Sequence, residues 1–218
     1  HKGLIFVKYT DVLFDLDGTL TDPKEGITRC VQYALRSFGI EEECDNLIPF
    51  IGPPLAEMFE LTYGVNGQTA VAKYRERYTD IGIFENSVYD GISDMLSALK
   101  SAGVKIALAT SKPEVFARRI LEKYGLIEYF DAVVGSELDG RRTDKAEVVA
   151  EALVRLGSPD KSGVIMVGDR SHDVIGAKKC GVGCIGVSFG YAAEGELETA
   201  GATAVADSVE QLQEMLIE

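Results

Sequence analysis

The chain has 218 residues with 22 basic and 35 acidic side chains, a net charge of −13, and 26% charged against 46% hydrophobic residues. That balance belongs to a globular protein long enough to bury a sizeable core in one domain, or one domain with an insertion, and excludes a disordered or fibrous chain. So acidic a chain lacks the basic face needed by a nucleic-acid polymer or a membrane surface as partner, while local charge still leaves room for a small anionic substrate.

The N-terminal apolar run, residues 4–7, is far shorter than a signal-peptide core or a membrane span. The start His1-Lys2-Gly3 lacks a methionine, which leaves it open whether the first few residues are native. Of the cysteines, Cys30, Cys44, Cys180 and Cys184, none forms a C-x-x-C pair, and His1 and His172 are not spaced to join them on zinc. Reduced thiols fit a cytoplasmic location.

Val12-Leu13-Phe14 is a short run apolar on both faces, the pattern of a central parallel strand, and it leads into Asp15-Leu16-Asp17-Gly18. Residues 22–88 then break the rhythm. Helical patterns over 27–38, 55–62 and 69–81 follow one another without a buried strand, punctuated by Gly39, Gly52-Pro53-Pro54, Gly64 and Gly82. A helical insertion is the simplest account, leaving residues 1–21 and 89–218 as one core. In that core a strand over 104–109 runs into Thr110-Ser111-Lys112-Pro113 and a helix carrying Val115, Phe116, Ile120 and Leu121. A strand over 132–134, a helix over 145–156 opening on Lys145, a strand over 164–167 running into Gly168-Asp169, a helix with Val174, Ile175 and Ala177, and a strand over 183–187 complete the alternation. The reading is an α/β fold, a doubly wound (Rossmann-like) parallel sheet. The final 25 residues hold seven acidic side chains and no Lys or Arg, and read as a solvated helix and loop.

Open α/β sheets bind ligands beyond the carboxyl ends of their strands, so the polar residues there carry the chemistry. Asp15 and Asp17, two apart on an extended segment, point the same way and repel unless a cation or a raised pKa intervenes. Gly18 permits a tight turn whose N–H groups can approach an anion. Asp169 and Asp173, four apart, face one centre from a first helical turn. Carboxylates without His or Cys beside them suit a hard cation such as Mg2+, while Lys145, Thr110 and free N–H groups suit phosphate oxygens. Lys112, beside Thr110, is the rival to Lys145 as phosphate-facing lysine, although Pro113 after it favours a helix-start residue; His172 reads as a helix residue near the site, Arg141 and Arg142 as solvated loop charges, and Tyr74 and Tyr78 as a packing stripe.

The same residues resemble four motifs of the haloacid dehalogenase-like (HAD) hydrolase superfamily: Asp15-Leu16-Asp17-Gly18-Thr19-Leu20, Thr110, Lys145 in Thr143-Asp144-Lys145, and Gly168-Asp169-Arg170-Ser171-His172-Asp173, in order. The resemblance spans nearly the whole chain and implies that 22–88 is a helical cap. It implies Asp15 as a nucleophile forming an aspartyl-phosphate, Asp17 as acid and then base, and Mg2+ on Asp15, the Asp17 carbonyl and Asp169. Thr110, the Ser111 amide and Lys145 would hold the phosphate, and Asp173 would orient Lys145 or a metal-bound water. Dehalogenases of the superfamily lack the second acid, so Asp17 implies phosphoryl transfer.

Length and pattern resemble phosphoglycolate phosphatases first and 5'-nucleotidase-like enzymes as the alternative, toward which the local strings at 51–55 and 138–142 lean; this implies a small phosphorylated metabolite or nucleotide as partner, with monomer and homodimer both open. The cap loop Ile51, Gly52, Pro53 and Pro54 is the expected specificity segment, and Lys24 and Arg29 could meet a substrate anion or be merely solvated. A sugar-phosphate mutase and a non-catalytic binding protein are the alternatives.

Overall fold

In a computed structural model, which describes residues 7–217, six parallel strands form one sheet. Residues 4–6 of the N-terminal apolar run lie outside the described residues; Val7 bridges Ile217 in antiparallel fashion. In chain order the strands are β1 (Asp11–Phe14), β2 (Thr21–Asp22), β3 (Ser87–Val88), β4 (Lys105–Pro113), β5 (Ala132–Ser136), β6 (Val164–Gly168), β7 (Gly183–Val187) and β8 (Ala204–Ala206). The helices are α1 (Lys24–Arg36), α2 (Leu55–Tyr63), α3 (Gly67–Tyr78), α4 (Ile92–Ser101), α5 (Glu114–Lys123), α6 (Lys145–Arg155), α7 (Ser171–Lys179), α8 (Glu196–Ala200) and α9 (Val209–Leu216).

The sheet runs β5-β4-β1-β6-β7-β8. The chain begins in the middle, builds outward through β4 and β5, then returns to β1's other side for β6, β7 and β8. That reversal puts a topological switch point between β1 and β6, where the ends of adjacent parallel strands part and open a crevice. The central strands are apolar on both faces because both faces are covered. Leu13, Ala107, Ala109, Val134 and Met166 point to one face and pack with Val148, Val149 and Ala152 of α6 and Val174 and Ala177 of α7. Their strand neighbours Val12, Phe14, Ile106, Leu108 and Val167 are equally buried.

The chain divides into two compact units, one of residues up to Leu20 and from Val88 onward, the other Thr21–Ser87. In the second, α1 buries Ile27, Cys30, Val31, Ala34 and Leu35, a stripe at helical spacing. Helix α3 starts two residues before the expected 69 because Asn66 caps it, accepting from Thr69 N at 2.9 Å. A 3-10 helix at Cys44–Phe50, absent from the expected pattern, buries Leu47 and Phe50, with Phe50 against Phe59 at 5.1 Å between ring centroids.

Two expectations for the larger unit are corrected. Strand β4 does not stop at 109 but continues through Pro113, with a register shift against β5 between Ala109 and Pro113. The acidic tail is no solvated helix and loop. It supplies the edge strand β8, parallel to β7, and buries Leu197, Ala206, Leu212 and Leu216. Apolar residues are about as frequent there as in the rest of the chain and interleave with the acidic ones, so the stretch has enough of them to pack.

Candidate active site

Strand β1 delivers Asp15 to the switch point, where its backbone N–H donates to Val167 O at 2.9 Å and so extends the parallel pairing with β6. The chain then turns, with Leu16 O accepting from Leu20 N at 2.9 Å, and Gly18 takes a left-handed φ of +79° that an L side chain rarely adopts. Asp15 and Asp17 are both buried, as are Asp169 beyond β6, Asp173 in the first turn of α7, Lys145 at the start of α6 and Thr110 in β4. Ser111 is partly exposed.

Lys145 is the hub. Its Nζ lies 3.0 Å from Asp15 Oδ1, 2.8 Å from Asp173 Oδ1 and 3.0 Å from Ala109 O. The lysine reaches this depth because Asp144 caps α6, accepting from Ala146 N at 2.8 Å, and because Gly176 of α7 has no side chain to block its stem. Asp173 is fully buried, and its Oδ2 accepts from Arg170 N at 3.1 Å.

Burial pushes the Asp15 carboxyl up to about 6, against the pull of Lys145. Burial, then the charges of Asp173 and Asp15, raise Asp169 well above the usual carboxylate range. Burial also opposes the Lys145 ammonium, yet Asp15 and Asp173 outweigh it and raise Lys145 above its ordinary value. For Asp173 burial is likewise outweighed, by Lys145 and His172, and its carboxyl is lowered. Burial lowers His172.

Whether these residues suit a cation can be read from their unused oxygens. Asp17 Oδ1 and Asp169 Oδ1 are buried and accept no hydrogen bond. Buried oxygens of this kind are costly unless a proton or a hard cation meets them, and Mg2+ takes such a donor set. Ligand atoms of Asp15, His172 and Asp173 also lie within 4.8 Å of one another. That trio is already balanced, because the Lys145 ammonium contacts both of its carboxylates. The free oxygen of Asp169, together with Asp15, is therefore the better fit for a cation.

Two features went unseen in the sequence, and a third residue does more than its position suggested: Lys112 precedes the start of α5, as expected, but also reaches the site. Its Nζ is 3.0 Å from Asp17 Oδ2, with side-chain exposures of 7% and 11%. The loop after β7 closes on Asp169, whose Oδ2 accepts from Tyr191 N at 2.8 Å, and a Cβ on Gly190 would come within 2.3 Å of Gly18 O. Glu196 ties that loop to α7, accepting from Ser171 N at 2.7 Å and Ala193 N at 2.9 Å. The loop follows a strand's carboxyl end, and that rule alone would have marked it. Of the expected loop in the smaller unit, Ile51 is buried, Gly52 and Pro53 are half-buried and Pro54 is exposed. Lys24 pairs with Asp45 at 3.1 Å and Arg29 with Glu85 at 2.9 Å.

The family model described as haloacid dehalogenase-like hydrolase matches residues 12–187. A 5'-nucleotidase of Pseudomonas aeruginosa is 48% identical over 195 residues, covering 88% of each chain. The tyrosine-protein kinase PtkA of Mycobacterium tuberculosis is 39% identical over 209 residues, 94% of this chain and 72% of that one. The crystal structure of a predicted phosphatase from Clostridium acetobutylicum superimposes with a TM-score of 0.92 at 45% identity, covering 95% and 97% of the two chains. With the fold, the matched segment and these relatives in agreement, the chain belongs to the haloacid dehalogenase-like hydrolase family and is a phosphatase of that family, a phosphoric monoester hydrolase.

Proposed function

We propose that the enzyme is a Mg2+-dependent phosphatase of small phosphomonoesters that works through an aspartyl-phosphate on Asp15, with nucleoside 5'-monophosphates as its first substrate class. The observation that carries this reading is the Lys145 ammonium held 3.0 Å from Asp15 Oδ1 inside a buried site. A carboxylate so placed is partly neutralised yet still has its second oxygen for attack. Asp15 attacks phosphorus, the ester P–O bond breaks, and Asp17 gives its proton to the departing alkoxide. Asp17 then takes a proton from the water that attacks the aspartyl-phosphate, releasing phosphate and restoring Asp15. Thr110, the Ser111 amide and the turn at Gly18 hold phosphate oxygens, Lys145 offsets their charge, and Asp173 keeps Lys145 in place. Asp15, the Asp17 carbonyl and Asp169 would hold Mg2+, which would supply the positive charge that lets an anionic carboxylate approach a phosphate dianion.

Phosphoglycolate is the substrate that the chain's length and overall pattern put first, while its local strings at 51–55 and 138–142 lean toward nucleotidase-like enzymes. The relative named 5'-nucleotidase, alike over 88% of each chain, supports placing nucleotides before it. Resemblance to a protein named a tyrosine-protein kinase supports a second reading, in which a tyrosine hydroxyl replaces water as acceptor. The smaller unit, with Ile51, Gly52, Pro53 and Pro54 in its loop, would act as the cap that selects the leaving group. A phosphate-release screen over nucleoside monophosphates, phosphoglycolate, sugar phosphates and an aryl phosphate tests the proposal, with Asp15→Asn as control. Release that needs Mg2+ and is lost in Asp15→Asn supports it; equal release by both proteins contradicts it, and transfer to a tyrosine peptide without phosphate release favours the second reading.

A further inference from the structure

The site contains two lysines, and they serve different carboxylates. Lys145 is committed to Asp15, Asp173 and the Ala109 carbonyl. Lys112 stands on Asp17, Nζ to Oδ2 at 3.0 Å, and both side chains are almost wholly covered. The backbone is shaped to put it there. Strand β4 slips its register against β5 between Ala109 and Pro113, and Lys112 N donates to Thr110 Oγ1 at 3.2 Å within that irregular segment. Across the sheet, Gly135 of β5 has no side chain, and a Cβ there would lie 2.5 Å from Lys112 O and 2.6 Å from Glu114 N. The segment that carries Lys112 thus passes where only a glycine neighbour allows it. A bulge that re-aims a side chain beside a catalytic group is a built feature of a strand.

The consequence falls on Asp17. Its two oxygens are made unlike: Oδ2 is held by Lys112, and Oδ1 is buried without a hydrogen bond. A carboxyl that must hand over a proton and take one back needs one oxygen fixed and the other open. We propose that Lys112 is a positioning residue that anchors Asp17 through Oδ2 and so presents Oδ1 to the leaving-group oxygen and then to water. This rests on the roles proposed above for Asp15 and Asp17. It assigns Lys112 no part in binding phosphate, the role that a lysine beside Thr110 would otherwise suggest.

A double-mutant cycle on the full chain tests it, using Lys112→Met, Lys112→Arg, Asp17→Asn and the double variant Lys112→Met with Asp17→Asn. Each is assayed on a nucleoside monophosphate and on an activated aryl phosphate whose leaving group departs without a proton, with inorganic phosphate as competitive inhibitor. Lys112→Met is expected to lower kcat on the alkyl ester about 10- to 100-fold, less than the roughly 100- to 10,000-fold of a whole acid–base contribution because Asp17 itself remains. Its effect on the aryl ester should be smaller, inhibition by phosphate should stay within about threefold, and Lys112→Arg should recover most of the loss. The double variant should be no slower than Asp17→Asn alone, because a residue that acts only through Asp17 has nothing left to position. Losses that multiply in the double variant, or phosphate inhibition weakened while kcat stays whole, overturn the proposal. If Lys112→Met does not fold, an intermediate loss in Lys112→Arg that vanishes when Asp17 is also Asn decides the same point. Full activity of Asp15→Asn in the same assay would instead sink the underlying mechanism.

Discussion

Gly18 and Asp169 meet across the switch point so closely that a Cβ on Gly18 would lie 2.1 Å from Asp169 Oδ2. The turn after β1 and the carboxylate after β6 are therefore fitted to each other, and the fit depends on a residue without a side chain. Gly18→Ala meets two penalties. The positive φ of +79° costs about 1–2 kcal/mol for an L residue, and Asp169 must shift to make room. Denaturant unfolding should show a loss of at least that size, and phosphate release should fall more than tenfold. Unchanged activity in Gly18→Ala would mean that Asp169 can move without consequence.

The raised carboxyls make the response to cation depend on pH. Asp15 is lifted to about 6 from 3.8, so in metal-free protein its favourable protonated form is progressively lost as pH rises through that interval. Above it, an ionised and poorly solvated Asp15 lowers stability, and a bound cation offsets that loss. Mg2+ should therefore raise the thermal midpoint more at pH 8 than at pH 5, as followed by scanning calorimetry with and without chelator. An equal shift at both pH values would count against the carboxylates as the cation's ligands.

Glu196 has the opposite sign. Burial works against its charge, but the N–H groups of Ser171 and Ala193 and the Arg170 guanidinium outweigh it and bring the carboxyl down to about 2. A lowered carboxyl contributes stability that is present above its unfolded value of 4.5 and is lost as pH falls toward 2. Glu196→Gln should cost about 1.5–3 kcal/mol at pH 7, the range for hydrogen bonds to a charged group. The gap to wild type should close as pH drops from about 4.5, and chemical denaturation across that range measures it. A gap independent of pH would assign the loss to packing.

How far the sequence reveals this molecule depends on how local each signal is. The runs around Leu13, Leu108 and Met166 are legible because strands buried on both faces carry unbroken apolar residues. Asp15, Asp169 and Lys145 stand out because each follows or precedes such a run at a place where a parallel sheet opens. Strand β8 does not, since Ala204-Val205-Ala206 is three small residues within an acidic stretch, and only pairing with β7 makes it a strand. Lys112 is legible as the residue before a helix, since α5 follows at Glu114 with Pro113 as its cap, but the irregular end of β4 that puts its side chain on Asp17 leaves no local signal. The Gly190–Tyr191 contact with Asp169 joins residues over 20 apart in the chain and leaves no periodic trace.

The central claim is that the phosphoryl group passes through Asp15. Rapid acid quench of enzyme turning over a nucleoside monophosphate with Mg2+, followed by digestion and mass spectrometry, looks for it directly. The expected result is a phosphoryl adduct on the peptide containing Asp15, absent from Asp15→Asn, and more abundant in Asp17→Asn when the substrate is an activated aryl phosphate, whose departure needs no acid while water attack is still slowed. Phosphate release that continues in Asp15→Asn, or an adduct on some other residue, would contradict it.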